Sequence, residues 1–276
     1  MKLKIVADSS ANVTALEGVA FSSVPLTILV GSNEYVDNDK LDVPAMLKDL
    51  REYKGKTSTA CPSVSDWIAA FDGADTVLGV AITSNLSGCY NSACIAAEEY
   101  MAANPGAKVF ILDSLSAGPE LQMILEKYVE LIHAGKSFEE ICEEIKAYHA
   151  HTHLMFSLES LDNFAKNGRV SPVVAKAVGI LGIRIVGRAS EEGTLEPQHK
   201  CRGEKKALRQ LVTSMQELGY QGGKVRIAHS YNEPAAKELA AMLREAYPAS
   251  DVSIGHNRGL CCYYAEEGGL LVGFEG

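Results

Sequence analysis

The stretch Thr76–Ala97, TVLGVAITSNLSGCYNSACIAA, constrains the fold more than any other part of the chain. Val77, Leu78, Gly79, Val80, Ala81 and Ile82 form a short apolar run rich in small and β-branched residues, with no charge on either face. Such a strand is buried on both sides, as in a parallel sheet. Thr83, Ser84, Asn85, Leu86, Ser87 and Gly88 then make a polar turn, and Asn91, Ser92, Ala93, Ala96 and Ala97 suit a closely packing helix. A strand, a hydroxyl-rich turn and a helix in succession present free backbone N–H groups, hydroxyls and the positive end of a helix dipole. The turn therefore suits an oxyanion: carboxylate, phosphate or sulfate. The plainer alternative is that Ser84 and Ser87 cap the helix.

The flanking segments extend the pattern. Leu3–Ala7 reads as a strand ending in Asp8, Ser9 and Ser10, and Val24–Val30 as a second strand. Val43–Tyr53 has helical spacing with Pro44 early, and Ser63 with Asp66 can cap a helix through Phe71. Lys108–Leu112 is a strand ending in Asp113–Ser116, followed by helices over Pro119–His133 and from Ser137 to about Tyr148. This alternation predicts an α/β domain with a mostly parallel sheet and helices on both faces. The hydroxyl-bearing segments Asp8–Ser10, Ser84–Ser87 and Asp113–Ser116 would gather at one sheet edge, where such folds bind ligands. Asp8, Ser9, Ser84 and Ser87 are thereby candidate ligand contacts.

The second half has a different rhythm. His151–Ser157 reads as a strand, Leu158–Lys166 as a helix stopped by Asn167-Gly168, and Val173–Leu181 as an apolar helix. Arg184–Gly187 and Thr194–Lys200 form a hairpin through Glu191, Glu192 and Gly193. Helices Gly203–Leu218 and Glu233–Ala246 alternate with strands Lys224–Ser230, Asp251–His256 and Gly269–Phe274. The expectation is an α+β domain with a mixed or antiparallel sheet, with domains 1–150 and 151–276.

Lys plus Arg total 26 against 35 Asp plus Glu, a net charge of −9, which argues against a general nucleic-acid binder. Seven cysteines without a C-x-x-C pair support neither a zinc ribbon nor a thioredoxin-type motif. MKLKIVADSS leads straight into a strand without a signal peptide, and no apolar run nears the ~18 residues of a membrane helix. A cytoplasmic protein without membrane insertion is expected. Neither G-x-G-x-x-G nor G-x-x-x-x-G-K-[ST] occurs, so no nucleotide cofactor is expected.

Four constellations stay open on composition alone. Ser114-Leu115-Ser116-Ala117-Gly118 approaches a nucleophile elbow but lacks its first glycine; His229 or His256 could supply a base. His149, His151 and His153 alternate, as a metal face or a solvated strand start, without a partner at metal-ligand spacing; no metal is expected. Lys200, Arg202, Lys205, Lys206 and Arg209 form either a docking patch or a solvated helix face. His256-Asn257-Arg258-Gly259 follows a strand, and Arg258 could complete an anion site or sit in a surface loop.

Several segments together resemble the DegV family of fatty-acid-binding proteins. KIVADSS looks like its K-I-x-x-D-S-T opening, and Thr59-Ala60-Cys61-Pro62-Ser63 stands where the family has T-S-Q-P-S. Thr83 to Ala93, TSNLSGCYNSA, resembles S-S-x-L-S-G-T-Y-x-S-A. Asn167-Gly168-Arg169-Val170-Ser171 resembles G-G-R-[IV]-S, and Arg202-Gly203-Glu204-Lys205-Lys206-Ala207 resembles R-G-x-K-K-A. The resemblance implies a non-catalytic carrier that holds one fatty acid in a tunnel between two domains and presents its carboxylate to a separate fatty-acid kinase. It implies carboxylate contacts from Thr59, Ser84 and His256, and a kinase-facing role for Arg169 and Arg202. Any bound fatty acid would be ligand rather than cofactor.

The chain departs from the family pattern in the first motif, in the C-terminal loop and, more mildly, at Cys89, which replaces the usual threonine of S-G-T-Y. Thr57-Ser58 precedes the first motif, so Thr57 could replace Thr59. The family's H-x-G-P-G is His256-Asn257-Arg258-Gly259-Leu260 here, followed by the bulky Cys261-Cys262-Tyr263-Tyr264. Two other functions compete: an acyl- or phosphoryl-transfer enzyme with His256 or His229 as base, and a regulatory protein whose pocket Tyr263 or Tyr264 blocks.

Overall fold

In the computed structural model, which describes residues 2–171 and 182–276, the central apolar run is strand β6 (Thr76–Ala81), buried at every residue. It lies in a parallel four-stranded sheet of order β2-β1-β6-β7 with β1 (Leu3–Asp8), β2 (Ala20–Val24) and β7 (Lys108–Asp113). Alternation divides the strands between two cores. Val6, Val77 and Ala81 pack on one face with Trp67 and Phe71 of α2 (Val64–Phe71) and Ala93 and Ala96 of α3 (Cys89–Ala103). Ile5, Ala7, Leu78 and Val80 pack on the other. There they meet Leu121 and Tyr128 of α4 (Pro119–His133) and Ile141 and Ile145 of α5 (Phe138–His149). Gly79 leaves room for the Ile111 side chain of the neighbouring strand, whose Cδ1 lies 2.4 Å from where a Cβ would stand. Ser63 with Asp66 and Ser137 with Glu140 close capping boxes on α2 and α5.

The expected strand Val24–Val30 is two strands in different sheets. Pro25 lacks an amide hydrogen and ends β2. The chain then enters β3 (Thr27–Val30), which pairs antiparallel with β4 (Asn33–Val36) and β5 (Thr57–Ala60). The hydroxyl-rich segment after Lys56 is thus in part a strand. Helix α1 (Val43–Glu52) covers this small sheet with Met46 and Leu47.

The second half forms a six-stranded sheet of order β10-β9-β8-β13-β11-β12. Its strands are β8 (Thr152–Leu158), β9 (Ile183–Ala189), β10 (Leu195–Arg202), β11 (Lys224–His229), β12 (Asp251–His256) and β13 (Leu270–Glu275). β11 and β12 run parallel and the other neighbours antiparallel, the mixed sheet expected from sequence. Met155, Val186, Val225, Val272 and Phe274 face α7 (Glu204–Glu217) and α8 (Glu233–Ala246). The opposite face carries Leu154, Phe156, Leu158 and Leu271.

Leu158 belongs to β8, so α6 (Asp162–Lys166) is shorter than the expected helix; Gly168 follows it with φ 73°. The expected helix Val173–Leu181 lies outside the described residues. A helix not expected from sequence, α9 (Gly259–Ala265), occupies the Leu260–Tyr264 run. Its Cys262 and Tyr263 pack against Ile28, Val30, Met46 and Leu47, so residues near the C-terminus complete a core begun near the N-terminus.

Candidate functional site

The hydroxyl-bearing ends of the parallel strands do converge. The Ile82 and Ser10 amides donate to the two oxygens of Asp8, at 2.7 and 3.0 Å. The Ser84 amide donates to Asp113 Oδ1 at 3.1 Å, and the Thr83 amide to the Ser116 carbonyl at 2.9 Å. Ser9 Oγ accepts from the Leu26 amide at 3.0 Å. Asp8 and Ser9 therefore fasten the loops together, and neither lines the cavity described below.

Burial raises the Asp8 carboxyl from 3.8 to about 6. A folded-state value above the unfolded one gives stability that is complete below the unfolded value and lost as pH rises through the folded one. Asp8 is thus expected to make unfolding free energy fall by about 2 kcal/mol between pH 4 and 6, out of about 3 kcal/mol over the whole transition. Asp8→Asn should flatten this slope in urea titrations, while losing about 1–3 kcal/mol at either pH because its amide group opposes one of the two buried N–H donors. An unchanged slope would refute the assignment.

Between this edge and the open face of the six-stranded sheet lies a cavity of about 340 Å³, within the ~300–1,000 Å³ of small-molecule pockets. Leu154, Phe156 and Leu158 line it from β8 at every second residue, with Leu271 of β13 and Leu195 of β10. Leu26, Ile82, Leu86 and Leu260 face them. The β9–β10 turn closes on the Thr83 loop. Gly193 has φ +75°, and a Cβ there would lie 2.2 Å from Thr83 Oγ1, so only glycine fits.

The polar part of the wall includes a hydroxyl pair, a guanidinium and the start of α3. Thr59 Oγ1 and Tyr264 Oη are hydrogen-bonded at 3.0 Å. Arg169, half-buried, donates from Nε to the Leu86 carbonyl at 3.1 Å and from Nη1 to the Asn167 carbonyl. Ser87 and Gly88 complete the group at the start of α3, and Cys61 Sγ lies 3.2 Å from where a Gly88 Cβ would stand. Burial raises the Tyr264 hydroxyl, with the Arg169 charge acting against the shift, so it is a proton donor at neutral pH. Hydroxyls, a guanidinium and a helix N-terminus on an otherwise apolar wall can hold one anionic head with a long apolar tail.

The residues singled out from sequence fall in different places. Thr59, Ser87 and Arg169 line the cavity; Ser84 and His256 do not, and both are exposed. Ser87 Oγ accepts from the Cys89 amide at 3.3 Å in a local turn, but the N-cap of α3 is Gly88, and neither the Ser84 nor the Ser87 side chain caps the helix. His256 ends β12 with its ring 4.3 Å from that of buried His229. Thr57 is buried and bonded to the Tyr263 hydroxyl at 2.8 Å, beside a second, more polar cavity of about 480 Å³. Arg258 joins α9 to the first half, its amide donating to Asn12 Oδ1 and its guanidinium to the Asn38 carbonyl. Arg202 is exposed together with Lys200, Lys205, Lys206 and Arg209.

Other sequence expectations resolve as structure. In the elbow-like run the nucleophile position is Ser116; it is only 2% exposed on the cavity wall described above, and neither His229 nor His256 lines that cavity to serve as its base. His149 ends α5, His151 lies in a turn and His153 in β8, so they share no strand face. Among the described residues no three His, Cys, Asp or Glu side chains are grouped to hold a metal, and no helix is long and apolar enough to cross a membrane. Tyr264 lines the cavity without filling it, and Tyr263 lies in the wall of the second cavity. Sequence reasoning treated Tyr264 as bulk. The spacing of Leu260, Cys261 and Tyr264, all lining the cavity, fits one helical face and was the available signal.

The model of the DegV family, described as uncharacterised proteins, matches residues 2–275. A DegV domain-containing protein of Streptococcus pyogenes serotype M3 is 41% identical over 279 residues, covering 100% of each chain. A crystal structure of a DegV family protein from Eubacterium eligens, loaded with heptadecanoic acid, is 45% identical and superposes with a TM-score of 0.97 over 99% of each chain. The Streptococcus pneumoniae Fatty Acid Kinase (Fak) B3 protein, loaded with linoleic acid, is 42% identical with a TM-score of 0.98, covering 100% of this chain and 99% of that one. With a family match running almost end to end and relatives this similar over their full length, the chain belongs to the DegV family.

Proposed function

We propose that this chain is a carrier that binds one long-chain fatty acid in the 340 Å³ cavity and presents its carboxylate to a fatty-acid kinase. The observation that carries the reading is an apolar cavity with one cluster of hydroxyls and a guanidinium on its wall. Relatives of the same fold are loaded with heptadecanoic and linoleic acids, which match that chemistry. Each buried methylene contributes about 0.8 kcal/mol, so an acyl tail supplies most of the affinity. In this reading Thr59, Ser87, the first amides of α3 and Arg169 hold the head, and the exposed Ser84 and His256 do not touch it.

The chain itself performs no chemistry on the acid. Residues 1–150 and 151–276 act as two domains that enclose the ligand, and Arg202 with its basic neighbours faces the kinase. A cytoplasmic location accords with such a partner.

Native mass spectrometry of gently purified protein, followed by lipid extraction, tests the reading. One bound fatty acid per chain is expected; protein that arrives empty and refuses added fatty acid refutes it. Thr59→Val keeps the side-chain shape and removes the hydroxyl. It is expected to weaken binding of a long-chain acid about tenfold, the worth of a hydrogen bond to a charged group. Unchanged affinity in a fluorescent displacement assay would remove Thr59 from the site.

A further inference from the structure

We propose that Tyr264 is the positioning residue of the head-group site, its hydroxyl orienting that of Thr59 toward the bound carboxylate. The inference rests on the carrier reading above and leaves His256, to which the resemblance gave a carboxylate contact, outside the head-group site.

The geometry is built from two neighbouring pairs. Thr57 and Thr59 stand two apart on β5, so their hydroxyls lie on one face of the strand. Tyr263 and Tyr264 are consecutive on α9 and diverge around the helix. Tyr263 bonds Thr57 at 2.8 Å, and its hydroxyl also accepts from Asn167 Nδ2 at 2.8 Å. That pair is buried, with Thr57 only 5% exposed, and borders the second, more polar cavity instead. The second pair, Thr59 with Tyr264, opens on the acyl cavity. The Tyr264 ring cannot swing freely: it stacks on Phe164 with centroids 4.7 Å apart and meets the edge of Tyr263 at 4.9 Å.

Each hydroxyl of the open pair has one proton, so the bond between them uses one and leaves the other for a ligand. A phenol is the more acidic donor and the poorer acceptor. An anion in the cavity therefore draws the protons in one sense: Tyr264 donates to Thr59 Oγ1, and Thr59 donates to the carboxylate. Such a chain polarises and strengthens its terminal bond. Arg169, whose charge reaches the Tyr264 hydroxyl, sits on the same wall and provides the countercharge. His256 is exposed and packed against His229, outside that wall.

The experiment is a double-mutant cycle read on two ligands, a long-chain fatty acid and its methyl ester, with melting curves to verify folding. Tyr264→Phe keeps the ring and is expected to weaken the acid roughly three- to tenfold in the native background. In the Thr59→Val background it should change acid affinity by less than about twofold, because there is no hydroxyl left to orient. Ester affinity should move by less than about twofold throughout, whereas a merely structural role would move acid and ester together. His256→Ala should leave acid affinity intact. Equal losses in both backgrounds, equal losses of acid and ester, or a tenfold acid loss in His256→Ala would each overturn the proposal while the carrier reading stands. A native protein that binds neither ligand overturns the carrier reading and this inference with it.

Discussion

Asp37→Ala is expected to destabilise the protein by about 4 kcal/mol and to abolish retention of an acyl ligand. Asp37 is 1% exposed and lies between β4 and α1. Its oxygens accept from the Gly259 and Leu260 amides, both at 2.9 Å, at the start of α9. An exposed N-cap aspartate contributes about 1 kcal/mol. Here both amides are buried, and each donor left without an acceptor costs about 1–3 kcal/mol. Burial pushes the Asp37 carboxyl upward, while those amides and the Arg258 guanidinium hold it down. Gly259 is part of the same device, since a Cβ there would lie 2.6 Å from Asp37 Oδ1. Because α9 brings Leu260, Cys261, Tyr264 and Ala265 to the cavity wall, loosening its first turn should open the cavity as well as weaken the core. Urea unfolding with and without fatty acid measures both effects. A loss below about 1 kcal/mol with ligand binding intact would show that water replaces the carboxylate at those amides.

Asp37 and α9 also mark the limit of what the sequence reveals. β6 is legible because an apolar run without charge has few other fates, and α2 and α5 because their capping boxes are local. The sheet class of each half follows from the rhythm of strands and helices. α9 is different: its N-terminal acceptor stands 222 residues away in the chain, so no local signal starts the helix. The small sheet escapes for a similar reason. β5 is a run of hydroxyl residues whose partner β3 lies about thirty positions earlier, and its strand character comes from that pairing. At the site, the motif pointed to Thr59, and the hydroxyl-rich turn pointed to its neighbourhood. Which serine of that turn faces the cavity was not legible, because Ser84 and Ser87 differ only in how the turn is tied to Asp113 and Cys89. Tyr264 was read by volume alone, whereas its hydroxyl bond to Thr59 depends on how β5 and α9 meet.

With the acyl tail laid beside β9, filling the cavity there should have the largest effect on ligand. Ala189 lines it near the end of β9. Two residues earlier on the same face, Gly187 leaves room for the Phe156 ring, whose Cζ is 2.4 Å from where a Cβ would stand. An indole at position 189 therefore has no slack in the sheet beneath it and must project into the cavity. If Ala189→Trp excludes about four methylenes, the loss is about 3 kcal/mol, or roughly 200-fold in affinity for a long-chain acid. The protein need not be weakened, since the added ring occupies empty apolar space. The diagnostic is the dependence on chain length. Ala189→Trp should penalise long acids and spare short ones, whereas Thr59→Val should weaken acids of every length by the same factor, because it alters only the head. Displacement titrations with a series of saturated acids separate the two. A uniform loss in Ala189→Trp would place the head, not the tail, beside β9 and reverse the direction of the ligand in the cavity.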